Sequence, residues 1–172
     1  RDYLAEVGPV PFSKEFGLKA AIEEVFDKEN VSVPTFQIFI NDEEDAITRP
    51  FRKLIEYNDT KHGDFDSAQP ITIFGQNQEP LAVGWIAHHD YQGAIPSNCG
   101  IRGLRARVGN IQVGGDRLFL DIFPEERFNS WTVGEIHVID DRIMPNGRRD
   151  GFDQSPQLAH LLNHLSPYGM QI

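Results

Sequence analysis

"PITIFGQNQEPLAVGWIAHHD", residues 70 to 90, sets two apolar runs on either side of a polar turn that holds Gly75 and Pro80. Runs of strand length joined by turn residues read as an antiparallel hairpin. The patterns on either side of it decide the fold class. Upstream, "TFQIFI" places Phe36, Ile38 and Ile40 on alternate positions of an expected strand, closed by the acidic turn "NDEED". Downstream, "LRARVGNIQVGG" alternates Leu104, Ala106 and Val108 with Arg105 and Arg107, a strand with one polar face, and "GEIHVID" follows as a further strand.

Helical spacing frames these strands. In "SKEFGLKAAIEEVFDKE" Leu18, Ala21, Ile22, Val25 and Phe26 share one face, while Lys19, Glu23, Glu24 and Asp27 share the other, with Ser13 as the expected N-cap. In "SPQLAHLLNHLSP" Ser155 is the cap, Pro156 takes the first helical position, Leu158, Leu161, Leu162 and Leu165 form the apolar face, and Pro167 is the expected stop. Before Ser13, "VGPVPF" reads as an extended connector. The expectation is therefore a linker over residues 1–12, leading from a preceding domain, and one α+β domain over 13–172: a mixed or antiparallel sheet covered by helices on one side. A chain of 172 residues can bury such a core without staples.

Charge and cysteine usage narrow the function classes. The 26 acidic against 16 basic residues give a net charge of −10, which argues against a nucleic-acid partner, because counterion release needs clustered bases. No segment approaches the roughly 20 apolar residues of a membrane span, and no signal-peptide core is visible. The lone Cys99 rules out an internal disulfide and fits a reducing compartment, so the expected location is cytoplasmic. All lysines lie at or before Lys61, whereas Arg102, Arg105, Arg107, Arg142, Arg148 and Arg149 lie in the second half. Arginine in place of lysine favours planar, bidentate contacts to carboxylate or phosphate.

Several candidate motifs fail on chemistry. "GNIQVGGD" has the glycine spacing of a phosphate loop, but Gly115 and Asp116 stand where Lys and Ser or Thr must follow. His88 and His89 are neighbours on a strand, which sends them to opposite faces, so no metal is expected on them. Cys99 lacks an oxyanion-hole motif, and pairs such as Glu125 with Glu126 or Asp140 with Asp141 are commonplace in an acidic chain.

The loop "IMPNGRRDGF", residues 143 to 152, is more specific, and the longer stretch "VIDDRIMPNGRRDGFDQSPQLAHLLNHL", residues 138 to 165, resembles the heat-shock protein 90 chaperone family. That family has a strand ending in Val-Asp, a Leu-Pro-Leu-Asn loop, Ser-Arg-Glu, a Leu, a Gln pair and a helix. Pro145, Asn146, Arg149, Asp150, Phe152 and Gln154 stand at the matching steps. "YLAEVGPVPF" and "GLRARVGNIQVGG" look like the domain that follows the ATPase module in bacterial stand-alone relatives. The chain departs from the pattern in a loop one residue shorter between Pro145 and Asn146, in Asp150 for Glu, and in Asp153 for the first Gln.

The resemblance implies the middle, or transducer, domain of a GHKL-superfamily ATPase with a ribosomal protein S5 domain 2-like fold. It implies ATP and Mg bound mainly by a separate N-terminal GHKL domain, with Arg149 reaching the γ-phosphate as the catalytic arginine and Asn146, Arg148 and Gln154 completing the ATP-contacting loop. It also implies chaperone-like relay of nucleotide state, a possible client protein and a homodimer in the full-length form. Gly147 and Gly151 would let the loop approach a ligand closely, and an arginine fork suits phosphoryl transfer. Two alternatives stay open: a Pro-Gly turn whose arginines pair Asp140, Asp141 and Asp150, and a non-catalytic protein-interaction module.

Overall fold

The expected hairpin forms the middle of the sheet. In a computed structural model covering residues 1–172, β2 (Lys61–Phe74) pairs antiparallel with β3 (Pro80–His89), with Ile71 opposite Gly84 and Ile73 opposite Ala82. Gly75 N–H bonds Glu79 O at 2.7 Å to close the turn. Four further strands complete a six-stranded sheet: β1 (Leu54–Asn58), β4 (Gly103–Val108), β5 (Ile111–Val113) and β6 (Val133–Val138), in the order β1-β2-β3-β6-β4-β5. All neighbours run antiparallel except β4 and β6, so the sheet is mixed and the fold is α+β.

Helices cover both faces, not one. The reason lies in β3, where every residue from Leu81 to Ala87 is buried, so the strand needs an apolar layer on each side. Ile71, Ile73, Ile86, Leu104 and Ile136 form one core with Leu158, Leu161 and Leu165 of α4 (Pro156–Gly169). Val83, Trp85, Ala87 and Val133 form the other with Phe16, Ile22 and Phe26 around α2 (Lys19–Lys28). In this second layer the ring centroids of Phe16 and Phe51 lie 4.9 Å apart, those of Phe51 and Trp85 5.4 Å, and those of Phe12 and Trp85 6.1 Å. Trp85 is fully buried, and its Nε1 has no hydrogen-bond partner.

Several local expectations are corrected. Residues 36–40 form no strand: Phe36 and Phe39 are half-exposed or more, and the stretch bonds only through isolated contacts such as Phe36 N–H to Pro9 O at 2.8 Å. Alternation alone cannot hold a strand that has no neighbour to pair with. Helix α2 starts at Lys19, with Leu18 in the cap position, because Ser13 Oγ accepts instead from Glu15 N–H at 3.2 Å and Phe16 turns into the core. Helix α4 starts as expected, with Ser155 Oγ accepting from Leu158 N–H at 3.0 Å, but passes Pro167 and ends at Gly169. Pro167 falls in the last turn, where one missing N–H costs little and Tyr168 still packs on the core.

Short elements fill the connections: α1 (Asp2–Val7), α3 (Glu126–Asn129) and 3-10 turns at Ser97–Cys99 and Leu120–Ile122. The stretch expected as a linker thus contains α1, and its Val10 is fully buried. No helix is long and apolar enough to cross a membrane.

Candidate functional site

The loop 143–152 is held from within and from one side. Ile143 is buried and anchors its start, Pro145 and Phe152 form an isolated antiparallel bridge, and Asn146 N–H bonds Gly151 O at 2.9 Å. Asn146 also closes a reciprocal pair with Asp150: its Nδ2 donates to Asp150 Oδ1 at 2.6 Å, and Asp150 N–H donates to Asn146 Oδ1 at 3.2 Å. Asn146 is therefore a brace of the loop, a role its short amide suits.

Arg149 is the residue the loop presents to the sheet. Its carbonyl accepts from Gly114 N–H at 2.8 Å, and its Nη2 donates to Val108 O and Ile111 O, each at 3.1 Å. Its φ of 59° lies in the left-handed region, which costs a non-glycine residue about 1 kcal/mol. The Nε is buried without a partner. Arg148 is exposed and takes no part in this bonding, and Gln154 is exposed just before the cap Ser155. Neither Arg148 nor Arg149 pairs with an acid. Asp140 is taken by Arg142, at 2.7 Å, and that contact holds the Asp140 carboxyl below its usual range.

A second polar centre lies inside the sheet layer. Glu135 of β6 is 1% exposed and is gripped by two guanidinium groups: Arg107 Nε donates to Oε1 at 2.9 Å, and Arg49 Nη1 bonds Oε2. Burial pushes Glu135 up, but the charge of Arg49 and then of Arg107 outweighs it and holds the carboxyl well below its usual range. His137 Nε2 lies 3.3 Å from Oε2, and since an ionised carboxylate only accepts, that nitrogen carries the proton. Burial drives His137 down to about 4 and Arg49 down to about 10. The polar face expected of β4 is thus not a solvated one: Arg105 and Arg107 are 3% and 1% exposed.

These arginines hold the chain's first residues. Arg107 donates to Glu6 O at 2.6 Å and Gly8 O at 3.1 Å, Arg49 Nε to Val10 O at 3.1 Å, and Arg105 pairs the Glu6 carboxylate. Asn110, 2% exposed, accepts from Arg49 through Oδ1, donates to Pro34 O at 2.7 Å, and offers its own carbonyl to Arg107 at 2.9 Å. Sequence reading missed Arg49, Asn110 and Glu135. The one available signal was a lone Glu inside the apolar strand "GEIHVID", which faces Arg105 and neighbours Arg107 only once the β4–β6 register is known.

The histidine pair of β3 goes two ways. His88 lies between Gln69 Oε1, at 2.9 Å, and Tyr91 Oη, at 3.0 Å. His89 Nε2 donates to Trp131 O at 2.8 Å, and its Nδ1 accepts from Tyr91 N–H at 3.0 Å. No group of three His, Cys, Asp or Glu side chains could hold a metal ion. Cys99 donates to Pro96 O at 2.8 Å, and burial pushes its thiol up, away from nucleophilic use. A cavity of 420 Å³ opens between α2 and β6, lined among others by Phe12, Ile22, Phe26, Val33, Arg49 and His137.

Compared with known proteins, the chain matches no protein-family model, no curated protein and no solved structure.

Proposed function

We propose that this chain is the middle, transducer domain of a heat-shock protein 90-like GHKL ATPase, in which loop 143–152 brings arginine charge to the γ-phosphate of ATP bound with Mg in a separate N-terminal domain. In this reading the domain relays nucleotide state in a chaperone-like cycle in the cytoplasm, acts on a client protein within a homodimer, and has the S5 domain 2-like form of α+β sheet. The observation that carries it is Arg149 itself: a strained, left-handed arginine fixed by backbone carbonyls and by Asn146's brace, with no carboxylate to neutralise it. A guanidinium left without a carboxylate, on a loop braced by its own hydrogen bonds, is a group that an anion can pair with. Arg148 adds exposed positive charge beside it, and Gln154 stands at the exposed start of α4.

The base and magnesium contacts belong to the other domain in this reading. The residues here fit one narrow role, in which the guanidinium of Arg149 stabilises charge on transferring phosphoryl oxygens while the loop keeps its own geometry. In the intact ATPase, Arg149→Ala is expected to lower turnover at least roughly tenfold with nucleotide affinity nearly unchanged. Arg149→Lys rescues poorly, since an ammonium cannot reproduce the fork, and Arg148→Ala costs less. Steady-state rates and nucleotide affinity on the same folded preparations decide it: an Arg149→Ala protein hydrolysing ATP at the parent rate rules the reading out.

A second reading, a non-catalytic protein-interaction module, draws on the 420 Å³ cavity and on Phe36 and Phe39, which are exposed on the segment following the cavity-lining Thr35. It predicts an Arg149→Ala variant without a rate effect.

A further inference from the structure

The β4–β5 hairpin touches both the chain's entry segment and the arginine loop, through opposite ends of one turn. Its tip is the two-residue turn Gly109-Asn110, both at positive φ (57° and 61°), the conformation that matches strand twist in a tight hairpin. On one side Asn110 is a three-way junction, bonded to Arg49, Arg107 and Pro34 O, and those two arginines hold the carbonyls of Glu6, Gly8 and Val10. On the other, Arg149 takes as its anchors the carbonyls of Val108 and Ile111, the two residues that flank the turn, and its own carbonyl is bonded by Gly114 N–H just beyond β5.

We propose that Asn110 is a positioning residue: it sets the hairpin tip according to where the entry segment 6–12 lies, and the tip in turn sets the placement of Arg149. A buried amide can do this because each of its bonds is lost outright, not exchanged for water, when the segment shifts. Glu135 keeps the device stiff by fixing both arginines at once. Open space lies beside the tip, where a side chain added at Gly109 would meet nothing within 4 Å. Movement of the entry segment thereby becomes movement of the Arg149 anchors, a coupling through two bonded layers and not through distance alone. The catalytic consequence rests on the arginine-loop reading; the coupling does not.

The test is Asn110→Gly, which keeps the positive φ and removes the side-chain bonds. In the full-length protein, amide exchange in segments 111–114 and 144–151 is expected to quicken roughly tenfold or more, with β2 and β3 unchanged. The turnover number should fall while KM for ATP holds, and Asn110→Gly with Arg149→Ala together should be no slower than Arg149→Ala alone. Arg49→Lys, which keeps a charge for Glu135 but loses the fork to Asn110, should act in the same direction. Unchanged exchange at 144–151 in both folded variants overturns the coupling, whatever the hydrolysis rate. Faster exchange there, with hydrolysis indifferent to Asn110→Gly and Arg149→Ala alike, upholds the coupling and removes the arginine-loop reading.

Discussion

Glu135 gathers more opposed effects than any other residue of this chain, because one buried carboxylate neutralises two buried guanidinium groups and accepts from an imidazole. Removing its charge strands Arg49 and Arg107 together in the layer, so Glu135→Gln is expected to destabilise by about 3 kcal/mol or more in urea unfolding at neutral pH. His137 gives the site a pH dependence with a definite sign. Its folded value is about 4, against about 6.5 when exposed, so the unfolded chain binds a proton that the native state refuses. The His137 contribution is flat above about pH 6.5 and becomes destabilising between there and about 4, by about 3 kcal/mol at most. Glu135, depressed by its arginines, adds a further loss as pH drops below its ordinary value near 4.5. His89 is lowered by burial and acts in the same sense, so His137→Gln should flatten only part of the slope between pH 7 and 5. An unaltered slope in that variant assigns the effect elsewhere. None of this was legible in the residues one at a time. Alternating arginines in "LRARV" look like a solvated face, and only pairing with β6 turns that face inward onto a carboxylate.

Among the elements, α4 and the central hairpin were the most readable and the polar strands the least. Ser155, Pro156 and the leucine spacing state the start and buried face of α4 in full, and the structure repeats them. Ser155→Ala is expected to cost about 1 kcal/mol, and Ser155→Asp to retain most of it, measured by thermal or urea unfolding; no loss in the alanine variant means Leu158 N–H finds another partner. Strand β1 escaped notice because it is short, with only Ile55 and Tyr57 turned inward, and the first half of β2 because the burial pattern from Lys61 to Ala68 has Gly63 as its one buried residue. The converse error, a strand assigned to 36–40, has the same physical root. An alternating pattern specifies which face a strand would bury but does not supply a partner, and residues 36–40 bond to Pro9 O and from Ile47 N–H instead of lying along a sheet edge. Arg149's left-handed backbone was likewise invisible, since its neighbours Gly147 and Gly151 are the residues that sequence rules assign to such positions.

At the scale of the whole molecule, the α+β class could be read from strands framed by helices, but the strand order could not. The parallel β4–β6 pair joins segments separated by β5, one 3-10 turn and α3, and because both strands are buried almost throughout, alternation gives no clue to their order or direction. Burial on both faces of β3 also explains why a one-sided helical layer was too simple. The isolated 172 residues are expected neither to hydrolyse ATP nor to bind it tightly, because the glycine-rich stretch 109–115 is spent on a hairpin and one arginine loop is too small a contact area. Calorimetric titration finding micromolar affinity for this chain contradicts that. The aromatic layer around Trp85 has an optical consequence. Trp85 sits buried against Phe12 of the entry segment, while the second tryptophan, Trp131, is half-buried in the turn before β6. Indole emission moves to longer wavelength as water reaches the ring, so the undisturbed protein should fluoresce with a blue component from Trp85, and lifting the entry segment off the sheet should extinguish that component in favour of a red one, giving a label-free signal of the first twelve residues leaving their seat.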